Sequence, residues 1–295
     1  MTSKKRLNIL MADDGSQHAR SAVELLGDVT LPPRSKVTVL RVFTPGQITS
    51  LPELEKSLEA TRERLLQKGI TAQTEVILGS PAEKVIEIAE KRKTDLIVLG
   101  AKGLRATLGI LLGGVAQQVV EYACCPVLIG RAPYRGLHRI LAVTDGSPNG
   151  QRAVRYLLKF PLPEYVDVRI MHVLPPAQQP ILTEPYLEDW LAVGTPTLTE
   201  MEPAEREKQE RKGKALLDRT CEMLRRGGII AIPTLARGDA ATEILEYANA
   251  NQVDLILAGS RGLSQFRSWW VGSVSRKLVH YSNCSVLVVK GPRKE

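Results

Sequence analysis

Short apolar runs alternate with amphipathic stretches along most of this chain. LNILMA, KVTVLRV, QTEVIL, DLIVL and PVLIG predict strands near 7–12, 36–42, 73–78, 95–99 and 126–130. RILAVT, DVRIMHV, IIAIPTL, DLILA and SVLVV predict a second set near 139–144, 167–173, 229–235, 254–258 and 285–289. Between them, segments such as AEKVIEIAEKRK (82–93) and ATEILEYANANQ (241–252) carry apolar residues at helical spacing. Strands with little polar alternation, separated by helices, belong to a parallel sheet covered on both faces. The predicted fold class is α/β, with two tandem doubly wound parallel-sheet domains of five main strands each.

The two sets are copies of one another. LNILMADDGS (7–16) matches RILAVTDGS (139–147) and KVTVLRV (36–42) matches DVRIMHV (167–173), both at an offset of 131 residues. TDLIVLGAKG (94–103) matches VDLILAGSRG (253–262) and CPVLIG (125–130) matches CSVLVV (284–289), at an offset of 159. A repeat of this length marks a duplicated domain. The boundaries are placed at 1–135 and 136–295, and the second copy holds 28 extra residues as an insertion near 175–203. That insertion contains six of the chain's 18 prolines together with Tyr186, Leu187 and Trp190, which fits a loop folded on its own domain or on a partner.

Composition narrows the class. The chain has 43% apolar and 24% charged residues and no apolar run long enough to span a bilayer. The start, MTSKKRLNILMADDG, does not read as a secretion signal. Cys124, Cys125, Cys221 and Cys284 lack metal-ligand spacing, so reduced thiols in a cytoplasmic protein are expected. The net charge of +8 is spread over both halves, with 19 basic against 14 acidic residues up to position 135 and 21 against 18 afterwards. A nucleic-acid footprint would be concentrated, so neither nucleic acid nor membrane is an expected partner.

The candidate chemistry lies in a glycine pattern present twice. Glycines at 100, 103 and 113, and at 259, 262 and 272, follow the fourth strand of each copy and precede a helix. This is the carboxyl edge of the sheet, where doubly wound folds bind ligands. The helix N-terminus offers unpaired N–H groups to an anion, and glycine lets backbone approach phosphate. Tight turns alone would also explain such glycines, although duplication weighs against that reading. Asp14 and Asp145, at the end of each first strand, suit either a ribose hydroxyl or a plain turn. Ser147-Pro148 reads as a helix cap, which leaves Asp145 for other work.

At these residues the chain resembles the universal stress protein family, in its tandem, ATP-binding branch. The glycine pattern followed by serine is complete at Gly259, Gly262, Gly272 and Ser273. The resemblance implies a Rossmann-like, adenine nucleotide α-hydrolase-like fold and an adenine nucleotide: ATP first, with ADP or AMP as alternatives, and Mg2+ accompanying it. It places adenine and ribose near Val143, Thr144, Asp145, Val173 and Gly259, and the phosphates along Arg261, Gly262, Gly272, Ser273, Val274 and Ser275. The first-copy equivalents are Asp14, Val42, Gly100, Lys102, Gly103 and Gly113. There Gly114 and Ala116 replace Ser273 and Ser275, so weaker binding is expected.

Two functions follow. One is a nucleotide-dependent regulatory or stress-response protein; the alternative is a slow ATP hydrolase or phosphotransferase. The loops supply cations, Lys102, Arg105, Arg261 and Arg267, but no His or Glu to place a nucleophile, which favours binding. His172 reads as a packed strand residue, and His18, His138 and His280 lack evident triad partners. Trp269-Trp270 is expected to pack on protein rather than on adenine. PVLIG and SVLVV are expected to pair within the chain, since either would otherwise be an exposed apolar edge. A homodimer is the further expected assembly.

Overall fold

The computed structural model describes residues 6–44, 51–103, 112–180, 198–260 and 272–291. The first copy runs β1 (Asn8–Ala12), α1 (Gln17–Asp28), β2 (Lys36–Phe43), α2 (Leu51–Gln67), β3 (Ala72–Leu78), α3 (Pro81–Lys91), β4 (Leu96–Gly100), α4 (Gly114–Tyr122) and β5 (Val127–Gly130). The second opens with β6 (Arg139–Val143), α5 (Pro148–Leu157) and β7 (Asp167–Leu174). After β8 (Gln178–Pro180) and β9 (Leu198–Glu200) it continues with α6 (Pro203–Arg226), β10 (Ala231–Arg237), α7 (Ala240–Ala250), β11 (Leu255–Gly259), α8 (Ser273–Tyr281) and β12 (Ser285–Val289).

Ten of these strands form one sheet in the order β10-β7-β6-β11-β12-β5-β4-β1-β2-β3. Within each copy's half of this sheet every pair is parallel and the winding is the same. Strand order reverses between β1 and β4, and again between β6 and β11. These are the switch points where such sheets leave a crevice at the strands' carboxyl ends. Pleating sorts the side chains by face. Ile9, Met11, Val98 and Leu128 join a core with α1 and α2, while Leu10, Ile97, Leu99 and Ile129 pack on the α3 and α4 side.

The copies meet where β5 and β12 run antiparallel, with Val127 opposite Val288, Leu128 opposite Leu287 and Ile129 opposite Val286. Leu128 and Leu287 are the same position of the two copies, so a local twofold passes between them. Both are fully buried in one core that crosses the seam. Ser285, which replaces the first copy's Pro126, accepts a 3.2 Å hydrogen bond from the backbone N–H of Arg131.

Two elements differ from the sequence expectation. The strand expected from Ile229 begins at Ala231, because the Ile229 N–H closes the end of α6 on the Leu224 carbonyl at 2.9 Å. The insertion is closed at its base by β8 and β9, which pair antiparallel from Gln178–Glu200 to Pro180–Leu198. Residues 181–197, including Tyr186, Leu187 and Trp190, lie outside the described residues. Among the described residues no helix is long and apolar enough to cross a membrane.

Leu128→Ala and Leu287→Ala should each cost about 2–5 kcal/mol in urea unfolding, as fully buried leucines do. Because the two face each other across the seam, the double variant should depart from additivity by about 0.5 kcal/mol or more; strict additivity would contradict the packing.

Candidate functional site

In the first copy the chain leaves β1 at Asp13, whose N–H still bonds the Leu40 carbonyl at 3.0 Å. Asp14 Oδ1 then accepts the Ser16 N–H at 3.0 Å, and Ser16 Oγ accepts the Ala19 N–H at 3.1 Å, capping α1. The same hydroxyl donates to the Lys102 carbonyl at 3.0 Å, fixing the end of the fourth strand to the end of the first. Gly103 lies against Asp14: a Cβ there would stand 2.5 Å from Asp14 Oδ2. Glycine is what allows the carboxylate and the loop backbone to share this space. At the loop's other end the Gly113 N–H bonds the Ala101 carbonyl at 2.8 Å. Asp14, Lys102, Gly103 and Gly113 are thereby gathered at the switch point, beside Gly100 at the end of β4.

The second copy repeats this frame. Thr144 N–H bonds the Met171 carbonyl at 3.0 Å, Asp145 Oδ1 accepts the Ser147 N–H at 2.9 Å, and Ser147 caps α5 through the Gly150 N–H at 3.0 Å. Pro148 takes the first helical position, as the Ser-Pro pair predicts. Gly259 ends β11 against the first turn of α5, where a Cβ would meet the Asn149 carbonyl at 2.8 Å. The Gly272 N–H closes the loop on the Ser260 carbonyl at 2.7 Å. Val143 is buried at the end of β6, and Val42 and Val173 sit half-buried near the ends of β2 and β7. Arg105, Ile110, Leu111, Arg261, Gly262, Arg267, Trp269 and Trp270 lie outside the described residues.

Glycine, not serine, occupies the N-cap of both loop helices: Gly113 for α4 and Gly272 for α8. Gly114 and Ser273 take the first helical position, and both are exposed. Val274 is half-buried behind them. Ser275 is buried and its hydroxyl donates to the Gly259 carbonyl, so it ties the start of α8 to the end of β11.

Three features were not evident from sequence. Asp13 is buried with Arg41 at 3.2 Å and also accepts from Thr61 Oγ1 at 2.7 Å, while Arg41 Nε bonds the Asp13 carbonyl at 2.7 Å. In the second copy the matching residues are Thr144 and His172, and His172 Nδ1 lies 2.9 Å from the Thr144 carbonyl. The paired difference, Asp and Arg against Thr and His at one offset, was the available signal. Third, His18 in the first turn of α1 accepts the Ala132 N–H on Nδ1 at 3.0 Å. Its pKa is held below the usual 6.5 by burial, then by Arg131 and Lys102, against the opposing pull of Asp14. A cleft of about 290 Å³ lies along the interdomain linker, lined in part by Arg131, Tyr134, Asp254 and Cys284.

A duplicated doubly wound sheet with a carboxylate and a glycine loop at each strand-order reversal defines a tandem α/β protein with two switch-point sites. The universal stress protein family model matches residues 5–131 and again 136–290, and the chain belongs to the universal stress protein family. It is 28% identical to the universal stress protein YxiE of Bacillus subtilis over 52% of this chain and 99% of that protein. A universal stress protein of Mycolicibacterium smegmatis is 27% identical over 75% of this chain and 70% of its own length. A crystal structure of a universal stress protein from Archaeoglobus fulgidus superposes with a TM-score of 0.67 at 20% identity, covering 98% of this chain and 99% of that one.

Asp13→Thr alone leaves the buried Arg41 guanidinium without its carboxylate and should cost about 3–5 kcal/mol in denaturant unfolding. Adding Arg41→His reproduces the second copy's pair and should recover most of that loss; a double variant no better than the single would show that the pairs are not equivalent.

His18 also predicts a pH dependence. Its folded pKa is depressed, so the unfolded state takes up the proton first, and stability is lost as pH falls below 6.5. His18→Asn, the residue at the matching position 149, should make the stability profile less steep below pH 6.5 in urea titrations, with His280, also depressed by burial, supplying a remaining slope. An unchanged slope would contradict the assignment.

Proposed function

We propose that this chain is a nucleotide-dependent regulatory protein of the stress response that binds an adenine nucleotide, ATP first and ADP or AMP as alternatives, at two sites. The observation that carries the reading is a carboxylate, Asp14 or Asp145, at each switch point together with a loop helix that starts on glycine, Gly113 or Gly272, without a side-chain cap, and in the first copy Gly103 set directly against Asp14. Asp14 or Asp145 would hold ribose beside Val42 or Val173. The backbone from Lys102 and Gly103 to Gly113 and Gly114, or from Arg261 and Gly262 to Gly272 and Val274, would hold phosphate. Mg2+ is proposed as a companion of the phosphates. Its charge would offset that of the phosphates. The four free cysteines agree with placement in the reducing cytoplasm.

The two sites should differ. Ser273 projects a hydroxyl where the first site has Gly114, and a hydrogen bond to a charged phosphate contributes about 1.5–3 kcal/mol. Ser275 supports this site indirectly, because its proton is committed to the Gly259 carbonyl. The test is calorimetry on protein stripped of bound ligand, titrated with ATP, ADP, AMP and GTP. Two adenine-selective sites are expected, the tighter one weakening at least about tenfold on Ser273→Gly. Gly114→Ser should strengthen the other, and there is room for it, since nothing lies within 4 Å of a Cβ at Gly114. Absence of adenine-nucleotide affinity would refute the reading. Rapid ATP turnover abolished by one side-chain substitution would favour the hydrolase alternative.

A further inference from the structure

The loop helices α4 and α8 are each closed by a cation from the other domain. Arg131, the residue after β5, donates through Nη2 to the Val279 and His280 carbonyls in the last turn of α8, the second at 3.1 Å. Lys290, the residue after β12, donates through Nζ to the Val120 and Glu121 carbonyls in the last turn of α4, the second at 3.1 Å. Donors and acceptors both obey the offset of 159, so the two caps are one interaction repeated by the local twofold. Elsewhere the copies have diverged: Glu121 stands against His280, and Gln117 against Arg276. The site after the last strand has kept a cation in both, although one is Arg and the other Lys.

This placement follows from the topology. Each loop helix starts at the carboxyl edge of its own sheet half and returns towards the amino edge. Because β5 and β12 are antiparallel, that amino edge is the carboxyl edge of the other half, where the residue after its last strand emerges. Arg131 is buried, so its charge is held in a poorly solvated seam and directed at carbonyls that carry the negative end of the helix dipole. At the other end of the same helix, about 13 Å away for nine residues, are the N–H groups of the candidate phosphate loop.

We propose that Arg131 and Lys290 are cross-domain positioning residues: Arg131 for the second nucleotide site through α8, and Lys290 for the first through α4. Each site then depends on a side chain that its own domain does not supply. The inference rests on the nucleotide reading for its ligand and on the cap geometry for its residues.

The experiment uses the full chain. Asp14→Ala leaves the second site for measurement and Asp145→Ala leaves the first. With ATP calorimetry, Arg131→Met should weaken the second site about fivefold and the first less than about twofold, and Lys290→Met should do the reverse. Arg131→Lys and Lys290→Arg should restore most of the affinity. Equal weakening of both sites by either variant would mean a general loosening of the seam and would overturn the proposal, as would no effect. Hydrogen exchange supplies a readout without ligand. Arg131→Met should speed exchange along α8, including its first turn at 273–275, and leave α4 unchanged, with Lys290→Met again the reverse. An α8 that Arg131→Met does not loosen overturns the positioning role. If the unsubstituted chain binds no nucleotide, the functional reading fails while exchange still decides the cap.

Discussion

The antiparallel contact of β5 with β12 is the constraint on which the rest of the molecule depends. Both strands are buried on both faces, and a strand of that kind left at an edge would recruit another chain. Pairing the copies removes two such edges at once and joins their cores beneath Leu128 and Leu287. It also sets the polarity of everything else. The five strands of one copy run opposite to the five of the other, so the two switch points open at opposite edges of one sheet.

The remaining edges, β3 and β10, are treated differently. β3 exposes Gln73 and Thr74, as expected of a solvated edge. At the matching positions β10 carries Ile232 and Pro233, both exposed. Proline withholds a ladder donor, which guards an otherwise apolar edge against further pairing. Divergence after duplication has therefore altered composition at the edges while the winding stayed the same. The strand-end pairs repeat the lesson. Asp13 with Arg41, and Thr144 with His172, both reach from the second strand to the carbonyl at the end of the first. One adds a buried ion pair, and the other makes the contact through a histidine ring nitrogen alone. The fixed requirement is a partner for that carbonyl at the mouth of the crevice, not a particular charge.

Legibility in the sequence followed the range of the interactions. Strands, loop glycines and the Ser147 cap could be read because each is set by neighbours a few residues away. The duplication supplied the two copies and their shared winding. The start of β10 was misplaced because Ile229 and Ile230 extend an apolar run that the backbone divides, giving the first to the closure of α6. The Ser275 hydroxyl looks from sequence like a ligand donor, but burial turns it inward to Gly259. His18, Arg131 and Lys290 were the least legible, since their partners lie across the seam or on the linker, more than a hundred residues away. The matched cations after the two last strands were the one sign in the sequence. Their meaning required the antiparallel register.

Sites that open on opposite edges cannot share one nucleotide or close on each other as the halves of a cleft do. Any communication between them must pass through the protein, and the candidates are few. The seam strands are buried in apolar packing on both faces, which resists deformation. The loop helices are short, begin at the candidate site and end on the other domain. They are also bridged directly, with Arg276 of α8 lying 3.7 Å from Glu121 of α4. A change at one loop that shifted its helix along its axis would move the terminal carbonyls against a cation anchored beside the other domain's last strand. A rotation of the whole domain would instead have to break the β5–β12 ladder. The architecture therefore favours small helix displacements over domain rotation as the route by which one copy could sense the other.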